Sequence, residues 1–328
     1  MRRRLFSARA ADPNVHSFAA VCALNVVTWT LALWTFHAAP SLLAASVAAY
    51  MFGLRHAVDA DHLAAIDNAC RKLARDGRRA VGAGLFFSAG HSSVVLLAVL
   101  ALAIAPLQSQ FAAVQAVGGV VGSLVSGCFL LTLAVVNVVS LLRTRHGDAH
   151  GLSRPGAGLL VALRPVFGMV GKSWHMFPIG FLFGLGFDTA SEVGLLALSV
   201  GPASHGLPVL SVLLFPALFT AAMCLVDTVD SAVVANTCRW QGVVNPRRRR
   251  AYDLFVTVMP VLLSAGIGAT ELLDLLQDHF GWSGFFWRLV EKTGQHVNLA
   301  GYLVSAVFLL TWGAGAVVGR GRSTHGGS

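Results

Sequence analysis

Two histidines and three aspartates stand close together in the stretch RHAVDADHLAAIDN, Arg55 to Asn68. They follow directly on the uncharged run Ser41 to Leu54, so the ionisable groups enter a region of membrane character. Ionisable side chains at membrane depth are expensive, and by default they mark an ion path or a functional site. On a regular helix, at about 100° per residue, His56, Asp59 and His62 fall within an arc of about 120°, while Asp61 points elsewhere. Imidazole nitrogens and carboxylate oxygens converging on one face suit a borderline divalent cation such as nickel, cobalt or zinc. The blander reading is a polar helix end at the membrane interface, and the cost of burying charge weighs against it.

Three further segments carry polar groups into apolar surroundings. Ser88, Gly90, His91, Ser92 and Ser93 form a small polar patch, in which a lone histidine is as readily a hydrogen-bonded packing residue as a ligand or relay. Asp188 and Glu192, four apart, share a helical face and repel one another unless protonated or sharing a cation. Asp227 and Asp230, three apart, share another face, one turn on from Met223, and divide evenly between an ion path and a structural role.

Spacing excludes several chemistries. There is no H-E-x-x-H pair for a zinc protease and no G-x-x-x-x-G-K-[ST] loop for nucleotide hydrolysis. The gap between His56 and His62 differs from the clustered histidines of membrane di-iron enzymes, and no Ser or Cys nucleophile is paired with a base. Cys22, Cys70, Cys128, Cys224 and Cys238 are scattered and odd in number, which predicts neither a disulfide framework nor a thiolate metal site.

The elements that must position these residues are membrane helices. Of the 328 residues 55% are hydrophobic and only 12% charged, and the mean hydropathy is +0.69. Those values exclude an ordinary soluble domain and predict an all-α polytopic membrane protein. Eight spans account for the pattern, near 17–37, 41–66, 80–105, 116–142, 174–200, 209–236, 252–273 and 297–319. The segment 111–142 is too long for one span, so its first part reads as a surface helix or a hairpin arm. The basic start Met1 to Arg9 before the run Phe18 to Phe36 imitates a signal peptide, but that run is long enough to be retained as a first span.

Of the 24 Lys and Arg, 21 fall in the N-terminal tail, alternate loops and the C-terminal tail; only Arg288 and Lys292 lie on the opposite side, and Arg55 lies within the membrane. That asymmetry places both termini in the cytoplasm, explains the net charge of +9 without nucleic acid, and makes Arg247 to Arg250 an anchor between spans. The chain then reads as one transporter-like domain, 1–328, with a cytoplasmic tail 1–16, cytoplasmic loops 67–79, 143–173 and 237–251, and a tail 320–328.

A repeat crosses this plan. Phe52-Gly53-Leu54 recurs as Phe183-Gly184-Leu185, and Phe87-Ser88-Ala89-Gly90-His91 resembles Phe219-Thr220-Ala221-Ala222-Met223, at offsets of 131 and 132 residues. Spans two and five, and three and six, run in opposite directions, so the repeat is of inverted topology, with a site expected at the repeat interface.

Four motifs in order carry a family resemblance. His56-Ala57-Val58-Asp59-Ala60-Asp61-His62, Phe87-Ser88-Ala89-Gly90-His91-Ser92-Ser93-Val94-Val95, Leu185-Gly186-Phe187-Asp188-Thr189-Ala190-Ser191-Glu192 and Asp227-Thr228-Val229-Asp230-Ser231 resemble the signatures of the nickel/cobalt transporter family. Within it the chain is most similar to bacterial high-affinity nickel permeases, over residues 18–312. Three positions depart from the pattern: Ala89 stands where Leu is usual, Ser191 where Thr is usual and Ala222 where Gly is usual.

The resemblance implies an eight-span secondary permease of the bacterial cytoplasmic membrane that takes up Ni²⁺ or Co²⁺. It implies no enzyme activity, no cofactor and no ATPase subunit; the partners are the transported ion and the lipid bilayer. Carried over by position, His56, Asp59, Asp61 and His62 bind the metal, while His91, Asp188, Glu192, Asp227 and Asp230 line the path or balance charge. Val58, between the ligands, tunes selectivity and leans towards nickel over cobalt. An intramembrane metalloenzyme and a metal-sensing receptor without flux are the readings of other classes.

Overall fold

The computed structural model describes residues 13–103, 105–145, 170–186, 192, 194–196, 198–199, 207–240, 246–290 and 292. Among the described residues every regular element is helical. The uncharged helix α1, Pro13–Phe36, ends in a turn closed by Ala39 N–H on the Phe36 carbonyl at 2.8 Å. Helix α2, Pro40–His56, starts on a proline, whose missing N–H costs nothing at a helix N-terminus.

The sequence predicts one regular helix through the opening motif, and here the structure differs. Helix α2 stops at His56, α3 spans Ala60–Arg75, and the two axes are bent by 55°. The break lies at Asp59, whose backbone is extended (φ −66°, ψ 145°) and so cannot continue the helix. Its side chain turns back to His56 in place of capping α3. At its other end α3 runs on past the expected boundary at 66 and closes on Gly77, at φ +67°. Arg78 N–H bonds the Leu73 carbonyl at 2.8 Å and Gly77 N–H the Ala74 carbonyl at 3.1 Å, a glycine-terminated Schellman stop.

Helix α4 spans Gly82–Ala103, and α5 spans Ala105–Arg145 as one continuous helix of 41 residues. The separate surface helix or hairpin arm expected at its start is therefore absent. At 1.5 Å per residue α5 is about 60 Å long, twice the hydrocarbon thickness, so it extends beyond the bilayer as one rod. A single 3₁₀ turn, Ser173–His175, leads into α6, Met176–Phe183; α7 is the short Val209–Val212, followed by α8, Leu214–Trp240, and α9, Pro246–Phe280.

Among the described residues four helices are long and apolar enough to cross a membrane: Val15–Phe36, Gly82–Ala103, Gln115–Val135 and Val209–Ala235. The bent pair α2 and α3 passes the same test together, and brings the number to five if it is counted as one broken span. The expected span 297–319, Asp188 and most of the loop 143–173 lie outside the described residues.

Glycines set the helix spacing around the centre. A Cβ on Gly53 of α2 would stand 2.3 Å from the Phe219 carbonyl oxygen of α8, and one on Gly84 of α4 would stand 2.0 Å from the Asp227 carbonyl oxygen. Only the missing side chain lets these backbones touch, which is how membrane helices gain packing without a hydrophobic driving force. Two apolar clusters result. One gathers Ile66, Leu73, Phe87, Phe129 and Phe183; the other gathers Phe36, Val95, Phe215, Phe219 and Met223.

Candidate metal centre

The buried polar residues lie on the seam between those two clusters. The His56 ring packs against Phe219 of one cluster at 5.4 Å between centroids, and the His62 ring against Phe87 of the other at 4.9 Å. His56 is the last residue of α2, His62 is in the first turn of α3, and His91 is midway along α4. Their ring centroids form a near-equilateral triangle with sides of 4.5, 4.7 and 4.6 Å. A ligand nitrogen from each lies within 4.8 Å of the other two, and all three side chains are buried.

The break between α2 and α3 explains how one short stretch supplies two of the three. On a straight helix, residues six apart are separated by about 9 Å along the axis, whereas the bend folds the His62 ring back against His56. It also turns the carbonyl end of α2 towards the cluster, a partial negative charge that favours a cation. The positive end of α3 is offset by Asp59 at its N-cap and by Asp61 in its first turn.

Carboxylates finish the centre in two roles. Asp59 Oδ2 lies 3.1 Å from His56 Nδ1, and its Oδ1 lies 3.8 Å from Arg55 Nη2. With Nδ1–H donating to Asp59, the His56 lone pair is on Nε2 and faces the cluster; this is how a carboxylate fixes the tautomer of a metal-binding histidine. Glu192, on helical backbone, acts at the opposite side. Its Oε1 is 2.9 Å from His91 Nε2 and 3.8 Å from His56 Nε2, so it meets the point where the nitrogens converge.

The two Nε2 atoms of His56 and His91 are themselves only 2.8 Å apart. One proton on His91 Nε2 cannot serve both His56 and Glu192 fully, and His62 brings two more ring nitrogens, both buried and without a hydrogen-bond partner. A cation resolves this competition for protons. The His56–His91 separation is that of a hydrogen bond between the rings, and with metal–nitrogen bonds of roughly 2.1 Å the three nitrogens, within 4.8 Å of one another, need only a small inward shift to close on a divalent cation.

Asp227 of α8 lies beyond His62, its Oδ2 4.0 Å from His62 Nδ1. The same oxygen accepts from Ser88 Oγ at 2.5 Å, which ties α4 to α8 one turn below His91. Ala222 lies against Gly53, so its methyl is accommodated by the glycine opposite and close contact between α2 and α8 is kept.

The structure thus brings together His56, His62, His91, Asp59 and Glu192, with Asp227 at the edge. Asp61 and Val58 are half-buried beside the break, and Asp230 is one turn further along α8. His91 and Glu192, expected from the sequence to line the path or balance charge, stand inside the cluster itself, a placement that no spacing rule gives for residues 101 positions apart. Sequence reasoning missed Arg71, counted among loop charges but 5% exposed within α3. The signal for it was Asp67, four residues earlier on the same helix.

Comparison with known proteins agrees with this chemistry. The family described as high-affinity nickel-transport protein matches residues 42–318. The high-affinity nickel transport protein of Cupriavidus necator is 41% identical, over 93% of this chain and 91% of its own length. The hydrogenase nickel incorporation protein HupN of Bradyrhizobium diazoefficiens is 41% identical, over 93% of this chain and 84% of its own. The cobalt transport protein NhlF of Rhodococcus rhodochrous is 37% identical, over 84% and 82%. No solved structure matches the chain.

Proposed function

The chain belongs to the high-affinity nickel-transport protein family, and from that premise we propose that it imports Ni²⁺, with the ion bound between His56, His62 and His91. As a member it is a helical, multi-pass membrane permease and not an enzyme. The observation that carries the nickel reading is the buried three-histidine triangle with its short His56–His91 contact. Imidazole suits nickel, cobalt and zinc alike, and it is the likeness to high-affinity nickel transport proteins that favours nickel among them.

In this scheme Glu192 is the carboxylate ligand or charge partner, Asp59 orients His56, and Asp61 and Asp188 contribute negative charge to the path. Val58, at the break, sets how closely α2 and α3 approach and so tunes the ion that fits. Asp227 and Asp230 continue the path. The ion exchanges water for the histidines and is drawn inward by the membrane potential, worth about 2.3 kcal/mol per charge per 100 mV. The ligands bind only when deprotonated, so uptake falls as the outside is acidified.

The same proposal includes eight spans in the bacterial cytoplasmic membrane, both termini inside, no ATPase subunit and no resident cofactor. It also includes an inverted repeat relating spans two and three to spans five and six, which rests on the sequence matches at offsets of 131 and 132 residues. The second reading, Co²⁺ or mixed transport, is favoured by the similarity to a cobalt transport protein.

Uptake of ⁶³Ni by cells expressing the protein tests the main reading. His56→Ala should abolish uptake while the protein still reaches the membrane, and full retained uptake would sink it. Competition by excess Co²⁺, Zn²⁺, Mn²⁺ and Mg²⁺ separates nickel from cobalt preference.

A further inference from the structure

A second buried ionic group lies outside the histidine centre. Asp67 is about 7.5 Å beyond His62 along α3, towards the Arg75 end that the charge asymmetry assigns to the cytoplasm. Arg71 donates from Nε to Asp67 Oδ2 at 2.7 Å, and both side chains are more than nine-tenths buried. Helix α3 packs on α8, where Asp230 lies about 4.5 Å beyond Asp227 in the same direction and within electrostatic reach of both Asp67 and Arg71. Asp67 Oδ1 and Asp230 Oδ2 are buried and have no hydrogen-bond partner. Asp67 thus holds the guanidinium through one oxygen and keeps the other to spare, and Asp230 stands on the helix packed against this pair with a buried oxygen of its own. Intramembrane charges that pair in this way mark ion pathways as often as they mark packing.

We propose that Asp67 and Asp230 form a second, oxygen-ligand station for the divalent cation on the exit side of the histidine centre, and that Arg71 is a tethered cation that fills this station until the ion displaces it. Carboxylate oxygens hold nickel less firmly than imidazoles do, so the ion passes from a selective station to a releasing one. The return of Arg71 to Asp67 then expels it and restores charge balance. Asn68 holds this part of α3 in register, donating to Ser264 of α9 at 2.6 Å. The inference rests on the histidine triangle as the first station.

The test is equilibrium dialysis of the full-length protein against Ni²⁺ alone. Wild type should bind roughly one equivalent and Arg71→Gln roughly two, with Arg71→Gln/Asp230→Asn returning to one. One equivalent for Arg71→Gln overturns the second station. No binding by wild type overturns the histidine centre and this station with it. Because Arg71→Gln strands two buried carboxylates and endangers the fold, Asp230→Asn gives an independent arm in proteoliposomes. It should still bind roughly one equivalent but deliver nickel to the lumen about tenfold more slowly; delivery at the wild-type rate overturns the proposal. Arg71→Lys, which keeps a tethered cation, should restore single-equivalent binding, and two equivalents there would also overturn it.

Discussion

The histidine triangle and the Asp67–Arg71 pair are both buried, with half-buried Asp230 beside the second, yet they handle charge in different ways. The triangle gathers nitrogens and one glutamate oxygen around a single point, and its nearest cation, Arg55, stands on the outer oxygen of Asp59 at 3.8 Å and not on a triangle nitrogen. The second group has its cation built in, fixed at 2.7 Å. A centre that needs an ion from outside discriminates by ligand type, and one that carries its own cation controls when an ion passes. The difference is in the ligand atoms: imidazole is selective for borderline metals, whereas carboxylate is not.

The largest expected effect comes from removing the triangle's least-engaged member. His62 has both ring nitrogens buried without a hydrogen-bond partner, and the nearest carboxylate, Asp227, stands 4.0 Å from Nδ1. His62→Ala should lower ⁶³Ni uptake per folded molecule by on the order of 100-fold or more, beyond the loss of thermal stability of about 2–5 kcal/mol that the cavity beside Phe87 brings. If stability collapses and the residual uptake per folded molecule is unchanged, His62 is a packing residue and the contrast between the two groups fails.

Glu192→Gln should come next, with a loss of about 10- to 100-fold, because it removes the negative charge facing His91 and His56 but keeps a polar group there. Transport that is unaffected would move Glu192 out of the centre. Asp59→Asn should cost about tenfold, mostly as weaker apparent affinity, since the amide still contacts His56 Nδ1 but can present the wrong hydrogen-bonding group to it. A change in maximal rate with unchanged affinity would argue against an orienting role.

How much of this was visible in the chain can be judged from single residues. His56 and His62 were legible from type and spacing, but for an incomplete reason: a regular helix would bring both to one face, yet it is the break at Asp59 that brings their rings to 4.5 Å. No proline or glycine announces that break, because it is fixed by the side chain of Asp59 reaching back to His56, a tertiary preference that outweighs local helix propensity. His91 and Glu192 could be flagged as costly residues in apolar runs, but only helix packing could join them. Span length sets no upper limit on α5, a continuous helix of 41 residues, because nothing prevents a helix from leaving the bilayer. Arg71 was assigned to water by counting charges, whereas Asp67 holds it inside.

The smallest expected effect sharpens the boundary between the two groups. Ser88 donates to Asp227 Oδ2 at 2.5 Å and sits between the triangle above and Asp230 below. Ser88→Ala removes that donor without adding charge or bulk, leaving a buried carboxylate oxygen short of one bond, a cost of about 1–3 kcal/mol. If Asp227 is an ion-path residue, the freed oxygen is available to the cation, so apparent nickel affinity should hold or rise by a few-fold even as thermal stability falls. If Asp227 serves only to join α4 to α8, stability and uptake per folded molecule should fall together. Measuring both on one preparation tells whether the path between the two groups runs through Asp227 or around it.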